Sequence, residues 1–346
     1  MDITEEASSV EAGPACANCG SSILDVNSKT PFCEPCRNQF IKYPVPLWIR
    51  IFGGVIVLVL VVSLTSLSAN LQTGIHLKKG KLAAQQKNFL TAENEFKQVV
   101  KKEPEYLEAK CHLLIAAYHN GDFNEVISVS NELEGKEIKD NFLYTEASVA
   151  LSNSIKYLPG DSFAKFLESY QMEIKNVPEA EWARYLQTNT EDVFAETLYA
   201  SIQMDANHHA ATDSLLNDVL AKDHSYHAAL MLKIPVKREM LQFDSSYYYA
   251  DALLKENHEC SFALASKVRT MLKEKKDDEA LNLAKKCFEM DEKDGYVLAS
   301  LALAYHYKND FRNRDLIIQK GEKDTAAAEN LTFAKDVISG KEKFRN

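Results

Sequence analysis

Glycine and proline are scarce, 12 and 9 among 346 residues, which excludes long low-complexity linkers beyond the N-terminus. A basic surface is missing too. Forty Lys and Arg stand against 50 Asp and Glu, a net charge of −10, so no nucleic-acid partner is expected. The recurrent catalytic patterns are absent: there is no Gly-rich phosphate loop, no His-Glu-x-x-His and no Gly-x-Ser-x-Gly. The chain is therefore read as a non-enzyme with no small-molecule substrate. The even, patterned cysteine set of a disulfide framework is also lacking, since there are seven. Cys111, Cys260 and Cys287 are scattered through helical sequence and read as inert core thiols. What is present is 46% apolar residues, enough for a sizeable core, in a length that suits about two domains plus extras. Residues 1–14 are acidic and rich in small side chains, and read as disordered.

The other four cysteines are clustered. Cys16-Ala-Asn-Cys19 is followed, after thirteen residues, by Cys33-Glu-Pro-Cys36. A two-residue gap lets one tight turn present two sulfurs to one ion, and zinc favours four thiolates in a tetrahedron. Gly20 suits the left-handed conformation that such a turn needs. Phe32 and Phe40 are candidates to cover the site. Residues 15–40 resemble a zinc ribbon, which implies structural Zn2+ held by Cys16, Cys19, Cys33 and Cys36. Four thiolates leave no open position for catalysis. The alternative is two disulfides, which would require this end to face an oxidising space.

An apolar run follows. Residues 47–69 carry Arg50 as their only charge, with Tyr43 and Trp48 at the leading edge. A helix of that length covers about 34 Å, so the pattern predicts a single transmembrane span at 47–69. A cleaved signal peptide fits less well, because 46 residues precede the run. Arg37, Lys42 and Arg50 lie before it and Lys78, Lys79, Lys81 and Lys87 after it, so the positive-inside rule does not decide orientation. Zinc thiolates persist in a reducing cytosol. The expectation is a single-pass membrane protein, of bacterial inner-membrane type, with a cytoplasmic N-terminus and an extracytoplasmic C-terminal part.

After Gln72 the pattern is helical throughout, and it repeats. Phe89 and Phe123 are 34 apart, as are His209, Phe243, Asp277 and Phe311 in succession. Ala200, Ile234, Val268 and Ala302 share a column. Leu216, Ala250, Ala284 and Ile318 share another, and Val219, Leu253, Cys287 and Gly321 a third. A 34-residue helix–turn–helix period resembles the tetratricopeptide repeat. The best unit runs from Thr73 to Tyr106, with Gly80, Asn88-Phe89, Ala92, Phe96 and Pro104. Arg314 in a small-residue column, Lys79 at an apolar position and Pro235 inside a first helix depart from that family's pattern. The phase breaks once, over residues 141–192, where Pro159-Gly160 and Trp182 mark an irregular helical insert.

The expected fold class is thus all-α: a zinc ribbon at 15–40, a transmembrane helix at 47–69, and a solenoid with repeats at 73–140 and 193–328. A capping helix and tail occupy 329–346. The resemblance implies a scaffold that binds a protein or peptide in the groove lined by the first helices. It places Cys111, Ile115, Tyr118 and His119 there, then Phe194, Thr197, Ser201, Met231 and Arg238, then Arg269, Lys273, Tyr296, His306 and Tyr307. Of these, Tyr118, His119, Phe194, Arg238, Arg269, Lys273, Tyr296 and Tyr307 are the candidate partner-binding residues. Arg269 and Lys273, four apart on one helix face, suit a carboxylate or an acidic peptide end. Bacterial envelope assembly is the most natural setting for such a scaffold. The alternative function is a zinc- or redox-responsive sensor that signals between the cysteine cluster and the solenoid.

Overall fold

The computed structural model describes residues 15–22, 29–41 and 45–345, without the side chains of 64–70 and 326. The expected disorder of residues 1–14 lies outside the described residues. The chain divides into two compact units, Met1–Asn70 and Leu71–Asn346. The first holds the cysteine cluster, the short helix α1 (Glu34–Ile41) and the beginning of α2 (Leu47–Gln85).

The long helix forms, but among the described residues no helix is long and apolar enough to cross a membrane. This overturns the expected span at 47–69 and, with it, the single-pass placement and the cytoplasmic and extracytoplasmic assignments. Beyond Leu71 the same helix carries Lys78, Lys79 and Lys81 and belongs to the second unit. The large apolar side chains from Leu47 to Val62 are exposed.

The second unit is all-α and tetratricopeptide-like, built from antiparallel helix pairs. The end of α2 meets α3 (Phe89–Lys102) through Ala83 and Gly80 against Phe89 and Phe96, and α4 (Leu107–Asn120) pairs with α5 (Phe123–Leu133). After α6 (Asn141–Ser154), α7 (Asp161–Glu168) and α8 (Glu179–Thr188), the pairing resumes. α9 (Val193–Asp205) packs on α10 (His209–Lys222), α11 (His227–Glu239) on α12 (Phe243–Glu256), and α13 (Ser261–Lys273) on α14 (Asp277–Met290). α15 (Gly295–Tyr307) packs on α16 (Phe311–Gly321), and α17 (Thr325–Ile338) closes the series against α15.

The period has a backbone cause. Lys87 and Gly121, then Asn207, Leu241, Lys275 and Asn309, all adopt positive φ between 56° and 80°. Within each block they stand 34 apart. Each follows a first helix, and the next residue's amide reaches back five positions, as in Asn88 N to Ala83 O at 2.9 Å and Gln242 N to Lys237 O at 2.8 Å. That is the Schellman closure, which satisfies the helix's last carbonyls and reverses the chain. The columns fill the space between the pairs. Ala200, Ile234, Val268 and Ala302 are fully buried, as are Leu216 and Ala250. Gly80 lets Phe96 lie against α2, since a Cβ there would meet the ring at 2.6 Å. Gly295 admits the backbone of α17, whose Ala327 Cα would lie 2.8 Å from an added Cβ. Helix α11 runs through Pro235, and Arg314 lies over the Phe311 ring at 4.8 Å.

The insert is where the pattern gives way to specific packing. Phe163, Leu167, Trp182 and Tyr185 form a buried cluster with Ala195 of α9. Tyr157 stacks on Phe123 at 4.2 Å and on Tyr226 at 4.7 Å, bridging the early and late pairs. A second bridge is longer-ranged. Helix α3 has no side-chain cap of its own at Asn88. Instead its Phe89 amide donates to Asn257 Oδ1 (3.2 Å) and its Thr91 amide to Glu259 Oε2 (2.8 Å), 168 residues away. His258 N donates to Lys87 O at 2.9 Å in the same place. Two orphan amides of a helix N-terminus are thus satisfied by the loop between α12 and α13.

Candidate functional site

The first candidate is the cysteine cluster. The four sulfurs of Cys16, Cys19, Cys33 and Cys36 lie within 4.8 Å of one another. Tetrahedral thiolate–zinc bonds of about 2.3 Å place sulfurs about 3.8 Å apart, so the set fits one metal ion. The geometry comes from two turns. Gly20, at φ +71°, closes the first by donating its amide to Cys16 O at 2.9 Å, and Ala17 N reaches Pro31 O at 2.9 Å to join it to the second. Cys36 sits in the first turn of α1. The Cys33 amide donates to Cys16 Sγ at 3.2 Å. That amide, with those of Cys19 and Asn18, lowers the Cys16 thiol to about 6, while at Cys33 the backbone hydrogen bond from Cys36 is outweighed by burial and the neighbouring sulfurs, which push that thiol up to about 12. Cys16, Cys33 and Cys36 are buried and Cys19 is exposed. Phe32 and Phe40 sit 5.1 Å apart, with Phe32 packed on the cluster and Phe40 half exposed.

The second candidate is the face that the first helices present. An apolar cavity of about 350 Å³ is lined by Phe194, Thr197, Leu198 and Ser201 of α9, by Met231 and Leu232 of α11, and by Phe262 of α13. Phe123, Tyr157 and Tyr226 complete its wall. Its buried Thr197 hydroxyl has no hydrogen-bond partner. Next to it, sharing Leu232 and Phe262, lies a cavity of about 460 Å³ with Arg238, Arg269 and Tyr296 in its wall. Arg269 lies over the Tyr296 ring at 3.6 Å, and its Nε donates to Ser300 Oγ at 2.9 Å. Burial lowers the Arg269 guanidinium below its ordinary range. Burial works to raise the Tyr296 hydroxyl, but the charges of Arg269 and Arg238 outweigh it and hold the phenol low.

The structure divides the sequence-derived groove residues into three groups. Phe194, Thr197, Ser201 and Met231 share the apolar cavity, and Arg238, Arg269 and Tyr296 share its neighbour. Tyr118 and His119 are elsewhere. His119 stacks on Phe89 at 4.4 Å and Tyr118 leans on Phe123, so both serve the packing between pairs. Cys111 is fully buried core. Lys273 and Tyr307 are covered by the chain itself. Lys273 Nζ pairs with Glu239 at 2.7 Å, and Arg345 lies over the Tyr307 ring at 3.6 Å. Arg269 shares its cavity with Arg238, one helix away. Sequence reasoning missed His209, Phe262 and Phe344, which line that cavity too. The signal the sequence offered was an arginine on each of two first helices, Arg238 on α11 and Arg269 on α13.

Neither a protein-family model nor a curated protein matches the chain. Solved structures do. A tetratricopeptide repeat protein from Parabacteroides merdae aligns over 76% of this chain and 99% of its own, at 14% identity and a TM-score of 0.39. The Cut9–Hcn1 hetero-tetramer of the APC/C aligns over 78% of this chain and 55% of its own, at 14% identity and a TM-score of 0.40. The tetratricopeptide domain of P58(IPK) aligns over 78% of this chain and 99% of its own, at 13% identity and a TM-score of 0.24.

Proposed function

We propose that the second unit is a protein–protein interaction scaffold that holds a peptide or protein segment against its first helices. The observation that carries this reading is the apolar cavity between α9, α11 and α13, whose wall is built from aromatic and aliphatic side chains. Large apolar surfaces left open to solvent mark interaction sites, and wall residues such as Phe194 and Met231 are anchors of the kind that dominate binding energy. In this reading the candidate contact residues are Phe194, Arg238, Arg269 and Tyr296, with Lys273 and Tyr307 at the end that the chain's own segment 341–345 covers. The cysteine cluster holds a structural zinc ion. Cys16, Cys19, Cys33 and Cys36 supply all four ligands, and the metal's role is to fold a segment that has almost no apolar core.

A photo-crosslinking residue at Met231 in the full chain tests the scaffold. The expected result is a discrete, saturable adduct that the same probe at exposed Tyr248 on α12 does not give, and that Phe194→Glu removes. Equal, unsaturable labelling at both positions would refute it. For the metal, one zinc per chain by elemental analysis is expected, lost in Cys33→Ser; a chain that retains its full zinc in that variant would overturn the assignment.

A further inference from the structure

The long-range joint between α3 and the α12–α13 loop has two histidines beside it. Besides the three backbone amides already described, Lys87 Nζ donates to Lys255 O (3.0 Å) and Thr91 Oγ1 to Glu259 Oε1 (2.8 Å). His119, in the last turn of α4, stacks on Phe89 next to Asn120, whose Oδ1 accepts from Asn257. His227 opens α11; its amide donates to the Tyr157 hydroxyl (3.2 Å), and its Nδ1 lies 3.5 Å from the same oxygen. A charge on His227 opposes one on His119. The other charged groups acting on His119 are Glu256 and Lys87, and those acting on His227 are Lys156, Glu256 and Asp223. Both of these acids are already engaged, Glu256 by Lys87 at 3.6 Å and Asp223 by Lys156 at 2.5 Å. The loop adds Glu259, which is held by Thr91, and an exposed His258. Burial, reinforced by the neighbouring cations, lowers the pKa of both half-buried imidazoles.

We propose that His119 and His227 make this joint an acid-sensitive switch, docked while both rings are neutral and released when they take up protons. A cation on His119 lies against Phe89, the residue whose amide the loop caps, and a cation on His227 faces Lys156 and the first imidazolium. Neither gains a carboxylate that lacks a lysine already. Opening exposes rings that titrate near 6.5, so the open form binds protons first. The joint is therefore at full strength above about pH 6.5 and weakens as pH falls. Each ring that is neutral when docked and charged when released favours opening by up to about tenfold per pH unit below that point. The Phe123–Tyr157–Tyr226 stack has no group that titrates in this range, so the early and late helix pairs stay tethered there while α3 and the loop separate.

The test is hydrogen exchange on the full chain at about pH 7.5 and pH 5, read as protection factors so that the pH dependence of exchange itself cancels. Protection at residues 89–92 should fall about tenfold or more on acidification, while that of α15 changes by less than about threefold. His119→Phe keeps a ring on Phe89 but takes no proton, and combined with His227→Gln it should abolish the fall. His112→Gln, which alters the other histidine of α4, should leave the fall in place. An equal fall in both regions overturns the switch, as does a fall that persists in the double variant or disappears in His112→Gln. Because a substituted ring also packs, NMR on the unaltered chain gives a second reading. The ring signals of His119 and His227 should titrate together with the amide signals of Phe89 and Thr91; amide midpoints more than about one pH unit from those of both rings overturn the proposal.

Discussion

Asn257 joins parts of the chain that lie 168 residues apart, and Asn257→Ala isolates what that joint contributes. The side chain is 4% exposed. Its Oδ1 accepts from the Phe89 amide (3.2 Å) and from the Glu259 amide (3.0 Å), and its Nδ2 donates to Asn120 Oδ1 (3.0 Å). Truncation removes the cap that Asn257 provides to α3 and leaves the buried Phe89 amide without an acceptor, at about 1–3 kcal/mol. The expected loss is about 1–3 kcal/mol in urea unfolding. Asn257→Asp keeps the acceptor at a helix N-terminus, where negative charge is favoured, so its loss should be about 1 kcal/mol or less. Hydrogen exchange locates the effect: the amides of residues 89–92 should lose protection, while those of α15 and α17 should keep theirs. A loss below about 1 kcal/mol with unchanged exchange at the start of α3 would refute the idea that the remote loop caps this helix.

Three further outcomes follow from the same structure. Gly80→Ala drives a methyl into the Phe96 ring; a thermal melt should show a destabilisation of about 1–3 kcal/mol, relieved in Gly80→Ala/Phe96→Leu. Leu241 is held at φ +60° and is half exposed, so Leu241→Asn should stabilise the chain by about 0.5–1 kcal/mol, and a lower urea midpoint would count against a left-handed turn there. His112 stacks on Phe96 at 5.2 Å, and burial lowers its pKa to about 4. The unfolded chain, with a histidine pKa of about 6.5, therefore binds the proton first. His112 contributes stability that is fully present above pH 6.5 and is lost as pH falls toward 4, and His112→Gln should flatten that part of the stability–pH curve.

The helix-pair architecture was legible because its causes are local. Helical periodicity, a reversal every 34 residues and small side chains at fixed columns are properties of short segments, and each recurs often enough to outweigh departures such as Arg314 and Pro235. The cysteine cluster was legible for the same reason, since two Cys-x-x-Cys turns constrain their own geometry. The insert was not, because the aromatic contacts of Phe163, Trp182 and Tyr157 answer to neighbours far away in sequence rather than to a period. The eight groove residues were chosen by column, and a column says which way a side chain points but not whether something else covers it. Phe89 lies on His119, and the segment 341–345 lies on Lys273 and Tyr307.

Charge and apolarity show the same division. The sequence by itself determined the all-α class, the period and the clustering of four cysteines, since these depend on spacing along the chain. It also suggested a membrane span from apolarity alone, which the described helices do not support. Only the tertiary structure decided which donors are satisfied. The amides of α3 find Asn257 and Glu259 across the fold, while Arg238 and Arg269 meet at one cavity with a nitrogen each left over. Hydrogen-bond satisfaction depends on every group that burial brings near a donor, and those groups are set by the packing of helices far apart in the chain.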